Sequence, residues 1–234
     1  MNETVLVVGS VLFGGACGWT LRPVTASFDA AVPKRVPVTE ILTGLLFGLA
    51  AAEYDDWRLV ALFVFLAASV ALSVVDLIQY RLPNLILFPA IAVSAAIIVI
   101  GQIAEGDAER LSYVLVGALL YSGILLLMHL ISPAGMGFGD VKLGLLLGMF
   151  AGWVATSRFD AVRSVMIALL IGSALGVVLG GGRILVARLG GRFLPDPEEG
   201  SAGEGWRRTT FPFGPPLMAG AILVALYPGV VLGG

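Results

Sequence analysis

Charge is what this sequence has least of: only 13% of its 234 residues are Asp, Glu, Lys or Arg, about half the share of a water-soluble domain. With 58% hydrophobic residues and a mean hydropathy of +0.98, the chain reads as a polytopic membrane protein. Cysteine is nearly absent. A lone Cys17 excludes both an internal disulfide and a four-thiolate zinc site, and is expected to be a small packing residue. His129 is the single histidine. No basic stripe or interleaved aromatic platform is present, which argues against nucleic-acid binding, and a net charge of −2 says little about partners. The 31 glycines lack a three-residue period, which excludes a collagen-like chain. Many of them fall inside apolar runs, where small residues let membrane helices approach closely.

A helix needs roughly 17 to 25 apolar residues to cross a bilayer. On that measure the sequence predicts an all-α fold of about eight transmembrane helices, a single domain over 1–234, with segments near 4–21, 38–53, 57–76, 83–103, 111–131, 140–156, 161–186 and 212–232. The second and sixth are short, consistent with tilted or re-entrant segments. The first has Glu3 and no basic residue before it, so a retained helix is expected in place of a cleaved signal. The longest linker, 190–210, is rich in Gly, Pro, Glu and Arg and is expected to be a flexible loop. Trp19, Trp57, Trp153 and Trp206, with Tyr54 and Tyr227, fall near segment ends and read as interfacial anchors.

Lys and Arg are distributed unevenly between the two sides. One set of alternate loops holds ten of them (Arg22, Lys34, Arg35, Arg81, Lys142, Arg183, Arg188, Arg192, Arg207 and Arg208), and the opposite set holds Arg58, Arg110, Arg158 and Arg163, the remainder of the 14 in the chain. The side richer in positive charge faces the cytoplasm. Both termini are therefore expected outside, with the 190–210 loop inside.

Two aspartates interrupt this lipid-compatible chain: Asp76, in Val75-Asp76-Leu77-Ile78-Gln79-Tyr80-Arg81-Leu82-Pro83-Asn84, and Asp140, in Gly135-Met136-Gly137-Phe138-Gly139-Asp140-Val141-Lys142. Each lies at the end of an apolar run on the expected cytoplasmic side, where a carboxylate is costly unless paired, hydrated or functional. Structural explanations compete with a functional one. Asp76 stands close enough in sequence to pair with Arg81, and Asp140 is placed to cap Val141 to Leu143. If the two meet, like charges resist double ionisation, and the pair holds one proton and activates a water. Gly137 and Gly139 permit close backbone approach. Lys142 either tunes the pair or marks the membrane boundary by snorkelling. His129, before the glycine motif, reads as a boundary residue more than as a base.

Taken together, the Asp76 motif with Arg81-Leu82-Pro83-Asn84, the Gly137-Phe138-Gly139-Asp140-Val141-Lys142-Leu143 motif and the late Phe211-Pro212-Phe213-Gly214-Pro215 resemble the type IV prepilin peptidases, a branch of the Gly-x-Gly-Asp intramembrane aspartyl proteases. Arg35-Val36-Pro37-Val38-Thr39-Glu40 resembles the family's entry into its second helix. The resemblance implies an endopeptidase of the inner (plasma) membrane that cuts the short basic leader from type IV prepilin or pseudopilin precursors at the cytoplasmic face. Asp76 and Asp140 would be the catalytic pair, Gly137, Gly139 and Lys142 would support it, and Glu40 would lie nearby. Glu40 is explained almost as well by the positive end of its own helix.

The chain departs from many bacterial relatives in one respect. Those carry, between the first two helices, a domain with two Cys-x-x-Cys pairs that binds zinc, and they methylate the new pilin amino terminus with S-adenosylmethionine. Here Trp19 to Pro37 is too short for that insertion and has no cysteine. A peptidase-only form with no metal and no cofactor is expected. Three other readings remain: an ion-coupled transporter, a non-catalytic secretion or pilus assembly subunit, and a presenilin-like protease. The last normally pairs Tyr-Asp with a later Pro-Ala-Leu, whereas here Asp76 follows Val75. In a Cys17-free variant, single cysteines at Ser201 and Asp107 are expected to label from the cytoplasm and from outside respectively; the reverse pattern would invert the topology.

Overall fold

The computed structural model describes residues 3–28, 37–133, 136–188 and 212–232, with side chains at 3–21, 37–133, 136–182 and 212–230. In chain order the helices are α1 Glu3–Phe28, α2 Val38–Glu53, α3 Arg58–Gln79, α4 Asn84–Glu105, α5 Glu109–Ile131, α6 Phe138–Trp153, α7 Arg158–Arg188, α8 Gly214–Leu226 and α9 Pro228–Leu232. Among the described residues there is no strand. Among the described residues five helices, α1, α3, α4, α5 and α7, are long and apolar enough to cross a membrane. The protein is an all-α, multi-pass membrane protein. Two expected features, the 190–210 loop and Trp206, lie outside the described residues.

Segment ends follow local chemistry. The expected last segment, 212–232, is divided: α8 stops at Leu226, and Pro228, which has no N–H to continue the ladder, opens α9. At the end of α3, Tyr80 takes the left-handed conformation (φ 54°) and its N–H bonds to the Asp76 carbonyl at 2.9 Å, which stops the helix one turn beyond Asp76. Pro83 then directs the chain into α4, which ends at Gly106 (φ 74°).

The interior is organised around α3, which packs against α1, α2, α4 and α8. Its apolar window is 61% buried against 17% for α5, so α3 is a core helix and α5 a peripheral one. From α6, Leu143, Leu146, Leu147 and Phe150 are buried, and Phe150 stacks on Phe65 of α3 with ring centroids 4.2 Å apart. Trp153 belongs to this interior too. It is only 2% exposed, with Phe150 and Trp57 each 5.7 Å away, so it is a core residue and not the interfacial anchor its position suggested. Segment-end position identifies an anchor only when the helix faces lipid, and α6 is enclosed.

The α5 and α6 backbones nearly touch. A Cβ on Gly148 would run into the Gly117 carbonyl and stand 2.6 Å from the Tyr121 Cβ. Between membrane helices, where lipid tails are as apolar as leucine, such close packing supplies much of the attraction. Ser122 Oγ also donates to the Val141 carbonyl at 2.8 Å.

The bundle has two chemically distinct ends. At one, Arg58 pairs with Asp56 and Glu105, Arg110 with Asp107, and Trp57 Nε1 donates to Glu105 at 2.9 Å. There Tyr54 Oη donates to the Ala225 carbonyl, and burial, opposed by Arg58, pushes its phenol up to about 12, so it stays a donor. The other end holds the close of α3 and α5 and the starts of α4, α6 and α8. Overpacking the α5 and α6 contact tests the fold: Gly148→Leu is expected to lower the unfolding midpoint in detergent by about 5 °C or more. Leu119→Ala, at a 60% exposed position, should leave it nearly unchanged.

Candidate active site

Asp76 sits in the last full turn of α3 and is 5% exposed. Its carboxylate is buried and forms no ion pair with Arg81 among the described residues. Instead Oδ2 accepts the backbone N–H of Gly214 at 3.1 Å, across 138 residues of sequence. The fit is close. A Cβ on Gly214 would lie 2.6 Å from Oδ2 and 3.3 Å from the Asp76 Cγ. One turn back on α3, Ser73 Oγ lies 3.6 Å from Met218 Sδ, so the opening of α8 runs alongside the close of α3.

Asp140 occupies the third position of α6 and not the cap: the helix begins two residues earlier than the apolar run suggested, at Phe138, with Gly137 flanking it. Its backbone N–H bonds to the Gly137 carbonyl at 3.1 Å, and its side chain is half-buried. The surrounding motifs meet as well. A Cβ on Gly139 would touch the Leu82 Cβ at 3.3 Å, so this glycine lets the turn after α3 pack directly on the start of α6. Lys142 Nζ donates to Asn84 Oδ1 at 3.1 Å and lies over the Phe88 and Phe138 rings, 5.6 and 5.3 Å from their centroids. It ties α6 to α4 and forms no ion pair with either aspartate.

Two further residues have defined places. His129 Nδ1 bonds to the Met136 carbonyl at 2.8 Å, so that nitrogen carries the proton, and its ring stands 5.6 Å from Phe138. It thereby ties the end of α5 to Met136, beside Gly137. Glu40, in the first turn of α2, accepts Thr39 Oγ1–H at 2.8 Å, with α1 close behind it: a Cβ on Gly18 would stand 2.6 Å from the Glu40 Cα. Among the described residues no group of three His, Cys, Asp or Glu gathers with metal-binding geometry.

The site thus consists of two carboxyl groups, Asp76 of α3, buried and bonded by the Gly214 N–H, and Asp140 of α6, half-buried at the start of its helix. Such a pair is equipped for proton transfer to and from a water and a reacting amide. Gly214 is the participant that motif reading passed over. Its signal was present in Phe211-Pro212-Phe213-Gly214-Pro215, but a glycine that donates its N–H carries no side-chain chemistry to mark it.

Comparison with known proteins places the same motifs in context. The model of the type IV leader peptidase family matches residues 63–181, just over half of the chain, and spans both aspartates. The Prepilin leader peptidase/N-methyltransferase of Pseudomonas aeruginosa is 27% identical over 178 residues, 76% of this chain and 57% of that protein. The proteins of the same name from Neisseria gonorrhoeae (28% identical, 76% of this chain, 58% of the relative) and Aeromonas salmonicida (30% identical, 68% and 52%) align similarly. The chain spans about half the length of these curated relatives. No solved structure matches it. With the family model extending from the interior of α3, through the Asp76 turn and the Gly137 to Asp140 start of α6, into α7, the chain belongs to the type IV leader peptidase family.

Proposed function

We propose that the protein is an intramembrane aspartyl endopeptidase that removes the leader from type IV prepilin or pseudopilin precursors. The observation that carries this reading is the packing of the Asp140-bearing start of α6, through Gly139, on Leu82 in the turn that follows Asp76, within a stretch matched by the family model. One carboxyl group, ionised, takes a proton from the attacking water; the other, neutral, donates to the departing amide; the roles reverse to restore the pair. Burial among apolar helices strengthens these electrostatic steps by excluding bulk water. Gly139 lets the α6 opening pack against the turn after α3, Gly137 accepts the Asp140 N–H, and Lys142 ties α6 to α4 through Asn84. Glu40 is a neighbouring residue of the same end, with its position explained by the first turn of α2.

The basic-residue asymmetry supports a plasma-membrane protein with this end at the cytoplasmic face, where prepilin leaders reside. The single cysteine and the short stretch between α1 and α2 support peptidase chemistry without a zinc-dependent methylation step. Asp76→Asn and Asp140→Asn are each expected to reduce cleavage of a co-expressed prepilin by at least about 100-fold while leaving the protein folded and inserted, since an amide cannot exchange the required proton. Lys142→Met should reduce it far less. Near-normal cleavage by either Asn variant would show that the pair is structural. Purified protein is expected to contain no stoichiometric zinc and to leave the cleaved pilin unmethylated in the presence of S-adenosylmethionine; a methylated product detected by mass spectrometry would refute the peptidase-only form.

A further inference from the structure

Of the three residues that open α8, Gly214, Pro215 and Pro216, only Gly214 has a backbone N–H. A helix amino terminus ordinarily offers several unsatisfied donors, which bind whatever acceptor is near. Here the two prolines remove the donors of the two positions after Gly214 and fix their φ angles, leaving Gly214 as the one N–H of the three, and that N–H is aimed at Asp76 Oδ2 at 3.1 Å. The donor is buried, so water does not compete for it. Glycine is required at this position by space and not by torsion: any Cβ would stand 2.6 Å from the oxygen that the N–H is holding. Adjacent packing fixes the register, with Met218 lying beside Ser73 one turn along.

From this arrangement we infer that Gly214-Pro215-Pro216 is a single-donor clamp whose role in the proposed peptidase is to position Asp76. The inference rests on the peptidase reading and adds to it a third chain segment that the reaction requires. Gly214 is a positioning residue: it touches Asp76, not the substrate. Holding Oδ2 in place leaves Oδ1 as the oxygen free to meet the water, so loss of the clamp costs turnover and not substrate affinity.

The test uses the full-length protein in lipid nanodiscs and a purified type IV prepilin that the wild type cleaves. Glycolic acid at position 214, introduced by amber suppression, replaces the N–H with an ester oxygen and adds no atom to the packed interface. It is expected to lower kcat about tenfold to hundredfold, the range for a hydrogen bond to a charged group, with KM within about threefold of wild type. Gly214→Ala, which adds the intruding Cβ, is expected to lower kcat by about 100-fold or more. Gly220→Ala serves as the packing control on the same helix, where a Cβ would meet the Ala168 carbonyl; it should reduce the unfolding midpoint while the folded fraction keeps near-wild-type kcat. Wild-type kcat in the glycolate variant, or a raised KM at unchanged kcat, alongside an inactive Asp76→Asn, would overturn the clamp and leave the peptidase intact. Normal cleavage by Asp76→Asn would overturn the peptidase reading and the clamp with it.

Discussion

A carboxylate enclosed by apolar helices has to be given partners by the protein, because neither lipid nor bulk water reaches it. The partner supplied to Asp76 is a backbone N–H from the far end of the chain, and much of the architecture is arranged so that this bond is possible. α3 must end just beyond Asp76, which Tyr80 accomplishes by taking a left-handed conformation that a bulky residue adopts only at a cost of about 1 kcal/mol or more. α8 must begin opposite it, with a residue lacking a side chain. The strain at Tyr80 and the glycine at 214 thus belong to one requirement, although 134 positions separate them by number in the sequence.

Close helix approach is the second condition for the site. The start of α6 that carries Asp140 lies against the turn after Asp76 because α6 is held deep in the bundle, stacked on α3 through Phe150 and Phe65 and pressed against α5 through Gly148 and Gly117. Side chains at those glycines would move α6 outward by the thickness of a methyl group or more. Such a displacement is small for packing and large for chemistry, since misplacement by about 1 Å costs about 100-fold in rate. The glycine content that first looked like a compositional peculiarity is therefore what permits the two aspartate-bearing helices to share an interior.

Much of this was legible in the sequence, and unevenly. The apolar runs located the long helices because lipid imposes a length that a hydropathy pattern records directly, as in α3, α4 and α5. Asp76 and Asp140 stood out because charge inside such runs is rare. The break at Pro228 was hidden within an apolar stretch, and the burial of Trp153 depended on which helices surround α6, a tertiary fact with no local mark. Gly214 was hidden for another reason. Its contribution is a main-chain donor shared by nearly every residue, made distinctive only by the two prolines that follow and by the partner it meets.

The two ends of the bundle use the same acidic residue type for opposite purposes. At the end bearing Arg58 and Arg110, carboxylates are matched to guanidinium groups within 3.2 to 3.6 Å, at partly exposed positions where such pairs contribute little to stability but fix the geometry of the loops. At the other end Asp76 is held by a backbone N–H, Asp140 lies half-buried at the start of α6, and Lys142, the nearby cation, is occupied by Asn84 and two phenyl rings. A full salt bridge to either aspartate would hold that carboxylate permanently ionised and remove the exchangeable proton that the proposed chemistry needs. Neutral donors avoid this: they orient a carboxyl group without cancelling its charge. The diversion of Lys142 away from the pair is in this sense as much a part of the proposed site as the two aspartates, and it explains why a cation two residues from Asp140 is compatible with acid and base roles for both.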